Sequence, residues 1–402
     1  KRSMEAARVY EEPHSQGVKF RLDEIIRAIL RDQAAFTPQY DDVSFLLQKA
    51  LPMFERDPSL VEISPPAMVV GDLRGSIVDL VRAYSSIMGK DERPRHFTVQ
   101  FTFLGNYIGG AHSVHVLMLL FALKARCPRS VILLRGNHEV RFVSDAYYEF
   151  KGELQQRFSE NQAADLLERF NEVFDHMPLA CLIGGKVLCV HGGISPELET
   201  LDDIRKIPKP LKHPERPLPC DLLWADFMWR LEGFIRNTAR ERSVYFGKDV
   251  LEATLRRLGV KYMIRGHEII YKGNSFVTNL QKEVKMITLT TATDVHNGNY
   301  AALLVVQGDC SPVLRLLNKM NQEFDIADYR KNDHRADYEV YNDYAYPAET
   351  VSDPSMFPDR GYDYRTELRR VQMGCARRFI CESDVWLTYR GPEAETPEAL
   401  ET

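Results

Sequence analysis

The first part of the chain has the hydrophobic spacing of amphipathic helices. Apolar residues recur every three or four positions from Phe20 to about Leu60, which is the repeat of one helix face. The repeat is carried by Leu22, Ile25, Ile26, Ile29 and Leu30, and then by Val43, Leu46, Leu47, Ala50 and Leu51. The pattern predicts helical structure over this stretch.

Further along the chain, short apolar runs end at polar turns that contain glycine. The runs are Ala67–Val70, Thr98–Leu104, Val131–Leu134, Lys186–Val190 and Tyr262–Ile264, and they lead into GDLRG, GNYIGG, RGNHE, HGG and RGHE. Helical segments such as Ser76–Met88 and Val114–Lys124 lie between several of these runs, which indicates β-α-β units. Because sites in open α/β sheets are built at the carboxyl ends of strands, we expect the polar residues after these runs to meet.

The following part of the chain is rich in strand patterns. Four more runs are predicted as strands: Ser275–Asn279, Val284–Thr290, Tyr300–Gln307 and Pro312–Leu317. Together with the β-α-β units they predict an α/β fold. Its two mixed β-sheets pack as a central sandwich that is flanked by helices.

The composition divides the chain into three parts. Residues 1–17 are predicted to be an N-terminal arm, residues 18–319 the main domain, and residues 320–402 an acidic, Tyr-rich C-terminal extension. The extension has 18 Asp and Glu against 10 Lys and Arg, a net charge of −8, and the whole chain has −5, which leaves +3 for the rest. A short helix is predicted at Tyr364–Ile380. Because this extension is poor material for its own core, we expect the body or a partner to order it.

Bulk properties exclude several classes of protein. The chain has 402 residues, of which 44% are hydrophobic, so a sizeable core is expected. No apolar run is long enough to suggest a membrane span, and the net charge of −5 provides no basic field for nucleic acid. The seven cysteines are scattered without a CxxC pair, which favours an intracellular protein, cytoplasmic or nuclear.

The polar residues that follow the strand-like runs are of the types that bind metal. They are Asp72, Asn106, Asn137, His138, His191 and His267. Carboxylate oxygen, amide oxygen and imidazole nitrogen are common ligands of divalent cations. Each residue is a weak signal by itself, but their repeated position after a strand makes the set a strong one.

With these motifs the sequence resembles the phosphoprotein phosphatase family of Ser/Thr protein phosphatases, and within it the type-one catalytic subunit. LRGNHE, HGGISPEL (191–198), LLWADF (222–227) and ARERSVYFG (239–247) carry the resemblance, which covers roughly residues 20–317. It implies a four-layer metallophosphoesterase fold. It also implies two metals about 3.5 Å apart that activate a hydroxide, a His–Asp pair as general acid, and two arginines that clamp phosphate.

The resemblance assigns a role to each matching position. Asp72, Asn137, His191 and His267 match metal ligands, His138 matches the general acid, and Arg240 matches one phosphate-clamping arginine. Four positions depart from the family. Arg74 stands in place of a metal-binding His, Asn106 in place of the Asp that bridges both metals, Gly109 in place of the Asp that orients the acid, and Gly110 in place of the second arginine.

These departures work against a two-metal centre. Arginine has no lone pair to offer and stays charged, so Arg74 removes a ligand and is expected to pair with Asp72. Two like unit charges about 4 Å apart repel by about 4 kcal/mol at an effective dielectric constant of 20. Asn106 offers a neutral amide where a bridging anion is needed. We therefore predict a catalytically inactive pseudophosphatase that acts as a protein-binding scaffold or regulatory subunit.

Alternatives stay open at this point. Asn106, Asn137, His191 and His267, with Asp72, are predicted either to bind one divalent metal (Mn, Zn or Fe) or to hydrogen-bond one another with no cofactor. The first case allows a low-activity single-metal phosphoesterase. Arg74 and Arg240 together are candidates for holding a phosphate or phosphopeptide without cleaving it.

The expected partners are proteins. They would bind the phosphatase-like surface and the Tyr-rich extension, because aromatic and Arg residues are enriched at interfaces. Type-one phosphatases bind extended regulator peptides by strand addition, and the matching segments here, around Phe276 and Cys310–Leu314, are apolar. No nucleic acid or membrane is expected as a partner.

Overall fold

The described chain begins with two amphipathic helices. The computed structural model describes residues 15–88, 99–146, 148–293 and 299–317, and the strand at 385–388. Helix α1 (Gln16–Asp32) and helix α2 (Tyr40–Arg56) bury most of the apolar repeat noted above. Both pack against a central helix, α4 (Ser113–Arg126), which is buried along almost its whole length. The predicted helical start of the chain is confirmed.

The other helices are short or medium in length. They are α3 (Ile77–Met88), α5 (Arg141–Ala146), α6 (Tyr148–Arg157), α7 (Glu160–Asp175), α8 (Leu201–Arg205), α9 (Pro217–Trp224) and α10 (Lys248–Leu258). Among the helices that the structure describes, none has both the length and the apolar character to cross a membrane.

The described strands form two large sheets and a small one. The first sheet has the order β1 (Leu60–Ile63), β5 (Ala180–Ile183), β6 (Val187–Val190), β10 (Tyr262–Arg265), β12 (Val284–Leu289) and β11 (Asn274–Thr278). The second has the order β15 (Val385–Thr388), β14 (Pro312–Leu317), β13 (Ala301–Val306), β2 (Ala67–Val70), β3 (Gln100–Phe103) and β4 (Val131–Leu133). The small sheet contains β7 (Asp226–Phe227), β9 (Val244–Phe246) and β8 (Phe234–Arg236). Both large sheets mix parallel and antiparallel pairs, as predicted.

The two large sheets pack face to face. One buried cluster contains side chains of both sheets, for example Val69 and Leu304 of the second with Cys189 and Ile264 of the first. A second cluster joins α1, α2 and α4 to the outer face of the second sheet, and a third joins α9 and α10 to the first sheet. The order helices, sheet, sheet, helices confirms the predicted four-layer α/β sandwich.

The sheet topology brings the predicted polar residues to one edge. Strands β2, β3 and β4 are parallel neighbours, and β6 is parallel to β10. Asp72, just after β2, forms a bridge with Thr290, just after β12, so the two sheets meet there. The residues that follow the other strands share this edge: Asn106, Asn137, His191 and His267.

The domain boundaries differ slightly from the predicted ones. Helix α1 begins at Gln16, inside the predicted arm at 1–17, and residues 1–14 lie outside the described residues. The predicted helix at Tyr364–Ile380 also lies outside them. Strand β15, which belongs to the predicted extension, pairs with β14 of the main domain. The extension is therefore joined to the second sheet at this strand.

Acidification is expected to destabilise the chain through His115 of α4. The ring is fully buried, with Nε2 2.8 Å from the Phe36 carbonyl oxygen. Burial, aided by Arg157 and His112, lowers the pKa of His115 to about 4, although the bond to Phe36 acts in the opposite direction. Because the folded state then binds the proton less readily than the unfolded state, this contribution is present above about pH 6.5 and is lost as the pH falls towards 4.

Urea denaturation at a series of pH values tests this expectation. His115→Gln, which keeps a donor for the Phe36 carbonyl, should reduce the fall in the free energy of unfolding between pH 6.5 and 4. His213→Gln is the matched control, since that side chain is 82% exposed. An identical pH dependence in wild type and His115→Gln would contradict the assignment.

Candidate functional site

Three residues at the site edge have left-handed backbone conformations. The φ angles are 44° at Arg74, 55° at Asn106 and 71° at His267. Asn and His adopt this region more readily than most residues that carry side chains, whereas Arg adopts it less often. The turn that follows β2 and carries Arg74 therefore holds the most strain of the three. The packed sheet edge imposes the direction in which each of these side chains leaves the backbone.

Three side-chain atoms converge after β4, β6 and β10. Oδ1 of Asn137 lies 2.8 Å from Nε2 of His191 and 3.0 Å from Nδ1 of His267. Nδ1 of His191 lies 2.9 Å from the Leu104 carbonyl oxygen, which only accepts, so in the neutral ring this nitrogen carries the proton. Nε2 of His267 lies 3.3 Å from a carboxylate oxygen of Asp226, which favours a proton there. All three converging atoms therefore present lone pairs.

Two arrangements would provide a partner for each of these three lone pairs. A divalent cation between the three atoms would bind each lone pair, and an amide oxygen with two imidazoles is a set that Zn, Mn or Fe accepts. Alternatively, the Asn137 amide is reversed and donates to both rings. Burial lowers the pKa of His191 to about 4, and burial followed by Arg240 lowers the pKa of His267 well below its ordinary value. Both rings are thus neutral near pH 7, and these three residues fit one metal ion.

The neighbouring position has a different character, because its carboxylate is already bound by protein donors. Asp72 is fully buried, and its Oδ2 accepts from Nδ2 of Asn106 at 2.8 Å and lies 3.3 Å from Nη2 of Arg74. Its Oδ1 accepts from the His267 amide at 2.9 Å. The predicted pairing of Arg74 with Asp72 is confirmed.

Asn106 is held in one orientation. Its Oδ1 accepts from the His138 amide at 3.0 Å, while its Nδ2 faces Asp72. In the part of the chain that the structure describes, no group of three or more His, Cys, Asp and Glu side chains is arranged to hold a metal. Arg74 and Asn106 both face Oδ2 of Asp72, and the His267 amide donates to Oδ1, so a cation bound by Asp72 would compete with these donors.

The same motifs and fold occur in known proteins. The family model for calcineurin-like phosphoesterases matches residues 65–271. Over 241 residues the chain is 35% identical to serine/threonine-protein phosphatase PP1-delta of Caenorhabditis elegans. The matched stretch covers 60% of this chain and 74% of that protein. The chain belongs to the phosphoprotein phosphatases within the calcineurin-like phosphoesterase family.

Other members of the phosphoprotein phosphatase family agree with this assignment. A second Caenorhabditis elegans serine/threonine-protein phosphatase is 30% identical over 286 residues, which is 71% of this chain and 60% of that protein. A solved protein serine/threonine phosphatase from Saccharomyces cerevisiae, described as similar to human phosphatase PP5, superposes with a TM-score of 0.64 at 25% identity. That comparison covers 75% of this chain and 97% of the yeast one, which confirms the metallophosphoesterase fold.

The surroundings of His138, which the resemblance predicts to be the general acid, differ from the family pattern. The ring is 8% exposed and hydrogen-bonds the Ile108 backbone, while Gly109 has no side chain to orient it. Burial, followed by Arg74, lowers the pKa of His138 well below its ordinary value. A neutral imidazole is a far weaker acid than an imidazolium.

The resemblance predicts a phosphate-clamping arginine at position 110, and the loop that carries Gly110 lies close to Arg74. A Cβ atom at Gly110 would lie 2.2 Å from the Arg74 carbonyl oxygen, and Gly109 has a φ of 116°. Side chains at these two positions are therefore opposed by the backbone itself. This feature of the loop is invisible in the sequence.

The two predicted phosphate-binding arginines flank His267. Arg74 lies on the side of its carbonyl group, with Nη2 3.5 Å from that oxygen. Arg240 donates through Nε to Asp226 at 3.0 Å, and Asp226 in turn lies beside the His267 ring. Each arginine is thus paired with a carboxylate of the chain, and a bound phosphate would compete with Asp72 and Asp226.

A largely apolar cavity lies beside these residues. It has a volume of about 790 Å³, and Trp224 in its wall has its ring centroid 6.0 Å from that of His267. Phe142 stacks on Trp224 with centroids 5.9 Å apart, and Arg242 lies over both rings. Phe142 is 38% exposed and Ile235 is 39% exposed. Concave, mostly apolar cavities of this volume commonly serve as binding sites.

Two residues of the site, Asp226 and Arg265, were not assigned a role from the sequence. Asp226 contacts His267 and Arg240, and Arg265 is fully buried against Glu268 and the Gly192 carbonyl. The buried Glu139 accepts hydrogen bonds from backbone amides of the turn after β3. The signals were present, because Asp226 lies in LLWADF and Arg265 in RGHE.

Proposed function

We propose that this chain is a phosphoprotein phosphatase homologue that has lost two-metal catalysis and acts as a protein-binding scaffold or regulatory subunit. The observation that carries the proposal is the bonding of Asp72, whose Oδ2 faces both the Asn106 amide and the Arg74 guanidinium. Among the residues assigned to the two metal positions, Asp72 supplies one negative charge and Arg74 cancels it. A pair of dications then has no anion to offset its charge.

The changes at Gly109 and Gly110 support the same proposal. The first removes the carboxylate that would orient His138, and orientation of a catalytic His by a carboxylate contributes orders of magnitude in rate. The second removes half of a bidentate phosphate clamp. The remaining clamp residue, Arg240, is bonded to Asp226.

Proteins are the proposed partners, bound by the phosphatase-like surface and by the Tyr-rich C-terminal extension. The exposed Phe142 and Ile235 beside the cavity support the first of these surfaces. The net charge of −5 favours neither nucleic acid nor an anionic membrane. An intracellular location, cytoplasmic or nuclear, goes with this proposal.

A second candidate, a low-activity single-metal phosphoesterase, is favoured by the convergence of Asn137, His191 and His267. These residues would hold one Mn, Zn or Fe ion. When bound, the ion would supply a Lewis acid for a phosphoryl oxygen or for water. Asn106 and Asp72, which were predicted to complete this site, are bonded to other groups of the chain. A third candidate, phosphate or phosphopeptide binding by Arg74 and Arg240, requires displacement of two carboxylates.

A phosphatase assay with added Mn²⁺ separates these functions. The wild-type chain and His138→Ala are expected to give the same background rate on a generic aryl phosphate and on a phosphoserine peptide. His213→Ala, an exposed position, is the control for substitution of a His. Metal-dependent turnover that His138→Ala abolishes and His213→Ala leaves intact would overturn the proposal in favour of the second candidate. Native mass spectrometry of the full chain purified from its source cells tests for a stoichiometric protein partner.

A further inference from the structure

Two histidines lie together at the start of α4, outside the set of residues assigned to the metal centre. Their rings meet edge to face, with centroids 5.0 Å apart. His112 directly precedes the helix and is half-buried, whereas His115 is fully buried. Within the described residues, Nδ1 of each ring is shielded from solvent and has no hydrogen-bond partner. Buried polar atoms without a partner are rare in folded proteins, which makes two of them side by side an indication of a ligand.

The hydrogen bond of His115 fixes which of its ring nitrogens is free. Nε2 lies 2.8 Å from the Phe36 carbonyl oxygen, which only accepts, so in the neutral ring Nε2 carries the proton and Nδ1 presents a lone pair. A His that binds a metal commonly donates its other N–H to a backbone carbonyl in this way. Burial lowers the pKa of His112, and it lowers the pKa of His115 to about 4. Both rings are therefore neutral near pH 7, which is the form that binds metal.

The separation of the two rings fits a metal ion better than a water molecule between them. Two imidazoles bound through nitrogen to one tetrahedral ion, at a metal–nitrogen distance of about 2.0–2.1 Å, would have centroids about 5.2 Å apart. A water held about 2.8 Å from both nitrogens would require about 6.4 Å at the same angle. The observed 5.0 Å agrees with the first value.

We propose that His112 and His115 form a binding site for one divalent cation of the Zn²⁺, Ni²⁺ or Cu²⁺ type. Imidazole nitrogen is a preferred ligand of these ions. In the part of the chain that the structure describes, no third His, Cys, Asp or Glu joins the pair, so water fills the other coordination positions. The half-buried His112 gives the ion access from solvent. The site is separate from the proposed function and does not depend on it.

The charges beside the pair are balanced. Arg157 opposes a cation, and its charge contributes to the lowered pKa of both rings. Its Nε donates to Oε1 of Glu153 at 2.9 Å, and its Nη2 donates to the Ala111 carbonyl oxygen at 3.3 Å. Because this ion pair offsets the guanidinium, a dication at the two histidines does not meet a free positive charge.

An ion at this site would stabilise the start of α4. His115 is bonded to the connection between α1 and α2 through Phe36. Ser113, which lies between the two histidines, donates from Oγ to the Gly110 carbonyl oxygen at 2.7 Å. The ion would therefore join segments that are separate in the unfolded chain. Since it binds the folded chain alone, it is expected to raise the free energy of unfolding.

Calorimetric titration of the full chain with Ni²⁺ near pH 7 is the first test. The wild-type chain is expected to bind one more Ni²⁺ ion than His112→Gln or His115→Gln, with an affinity that falls at least tenfold in each variant. His213→Gln, at an exposed position, is the matched control and should bind as wild type does. The half-buried His112 is the safer position to replace, and circular dichroism checks that the variant is folded. Equal numbers of ions in wild type and His112→Gln would overturn the proposal.

Urea denaturation with and without Ni²⁺ is the second test. The ion should raise the urea midpoint of the wild-type chain and of His213→Gln by more than that of His112→Gln. The same rise in all three chains would contradict the proposal. Phosphate turnover enters neither test, so an active phosphatase would defeat the proposed function and leave this inference standing. Metal at the centre beside Asp72 is counted in the His112→Gln chain, from which the His112–His115 site has been removed.

Discussion

A chain that carries both Arg74→His and Asn106→Asp is expected to bind two divalent metal ions, whereas the wild-type chain is expected to bind no more than one. The His removes the guanidinium that lies 3.3 Å from Asp72 and adds an imidazole lone pair. The Asp replaces a neutral amide by a second carboxylate. The formal charge of the ligand set changes from zero to −2. At an effective dielectric constant of 20, each unit charge about 4 Å from a dication contributes about 8 kcal/mol before desolvation.

Metal content after equilibrium dialysis against Mn²⁺ or Zn²⁺, measured by inductively coupled plasma mass spectrometry, tests this expectation. Each single variant should remain at or below one ion, because one retains the guanidinium and the other retains the amide. Arg236→His, at an exposed position of β8, controls for the loss of an arginine elsewhere. A double variant with wild-type metal content would show that positions 74 and 106 do not limit the centre.

Full turnover is not expected to accompany the second metal. The side chains to which the resemblance assigns acid orientation and phosphate clamping are still absent at Gly109 and Gly110. Adding them is opposed by the φ of 116° at Gly109 and by the 2.2 Å approach of a Cβ at Gly110 to the Arg74 carbonyl oxygen. The loop between β3 and α4 has to move before these side chains can be accommodated.

Replacement of Glu139 by Ala is expected to lower the free energy of unfolding by about 3–5 kcal/mol. The carboxylate is fully buried and accepts from the backbone amides of Asn106 at 2.8 Å, Tyr107 at 2.8 Å, Ile108 at 3.3 Å and Gly136 at 3.0 Å. Alanine leaves these donors buried without an acceptor and separates the turn after β3 from the turn after β4.

Urea denaturation followed by circular dichroism measures this loss. Glu172→Ala is the matched control, since Glu172 lies on the exposed face of α7 and should change stability by less than about 0.5 kcal/mol. A Glu139→Ala chain as stable as wild type would mean that water or a local shift satisfies the backbone donors, and that Glu139 does not fix the turns.

The fold could be predicted from the sequence where the hydrophobic pattern and the turn residues indicate the same element. The runs that end in GDLRG, RGNHE and RGHE combine an apolar strand with a glycine turn, and the structure places a strand end at each. The strands β1 and β5 were missed. Leu60–Ile63 is followed by prolines and Ala180–Ile183 by a Gly-Gly turn without a metal-binding side chain, and they become strands through pairing with each other and with β6.

The sequence predicted which residues form the site, but not which hydrogen bonds and ion pairs these residues make. The sequence by itself determined the family, the sandwich and the identity of the altered side chains at positions 74, 106, 109 and 110. Those properties follow from side-chain chemistry and from patterns that span a few residues.

Only the tertiary structure decided how the remaining groups are used. Asp226 reaches His267, Glu139 reaches the turn of Asn106, and β15 reaches β14 across distances along the chain that no local pattern encodes. The orientation of the Asn106 amide is fixed by Asp72 on one side and the His138 amide on the other. Hydrogen bonding between strand ends that are distant in sequence depends on how the sheets pack, and that geometry exists only in the folded chain.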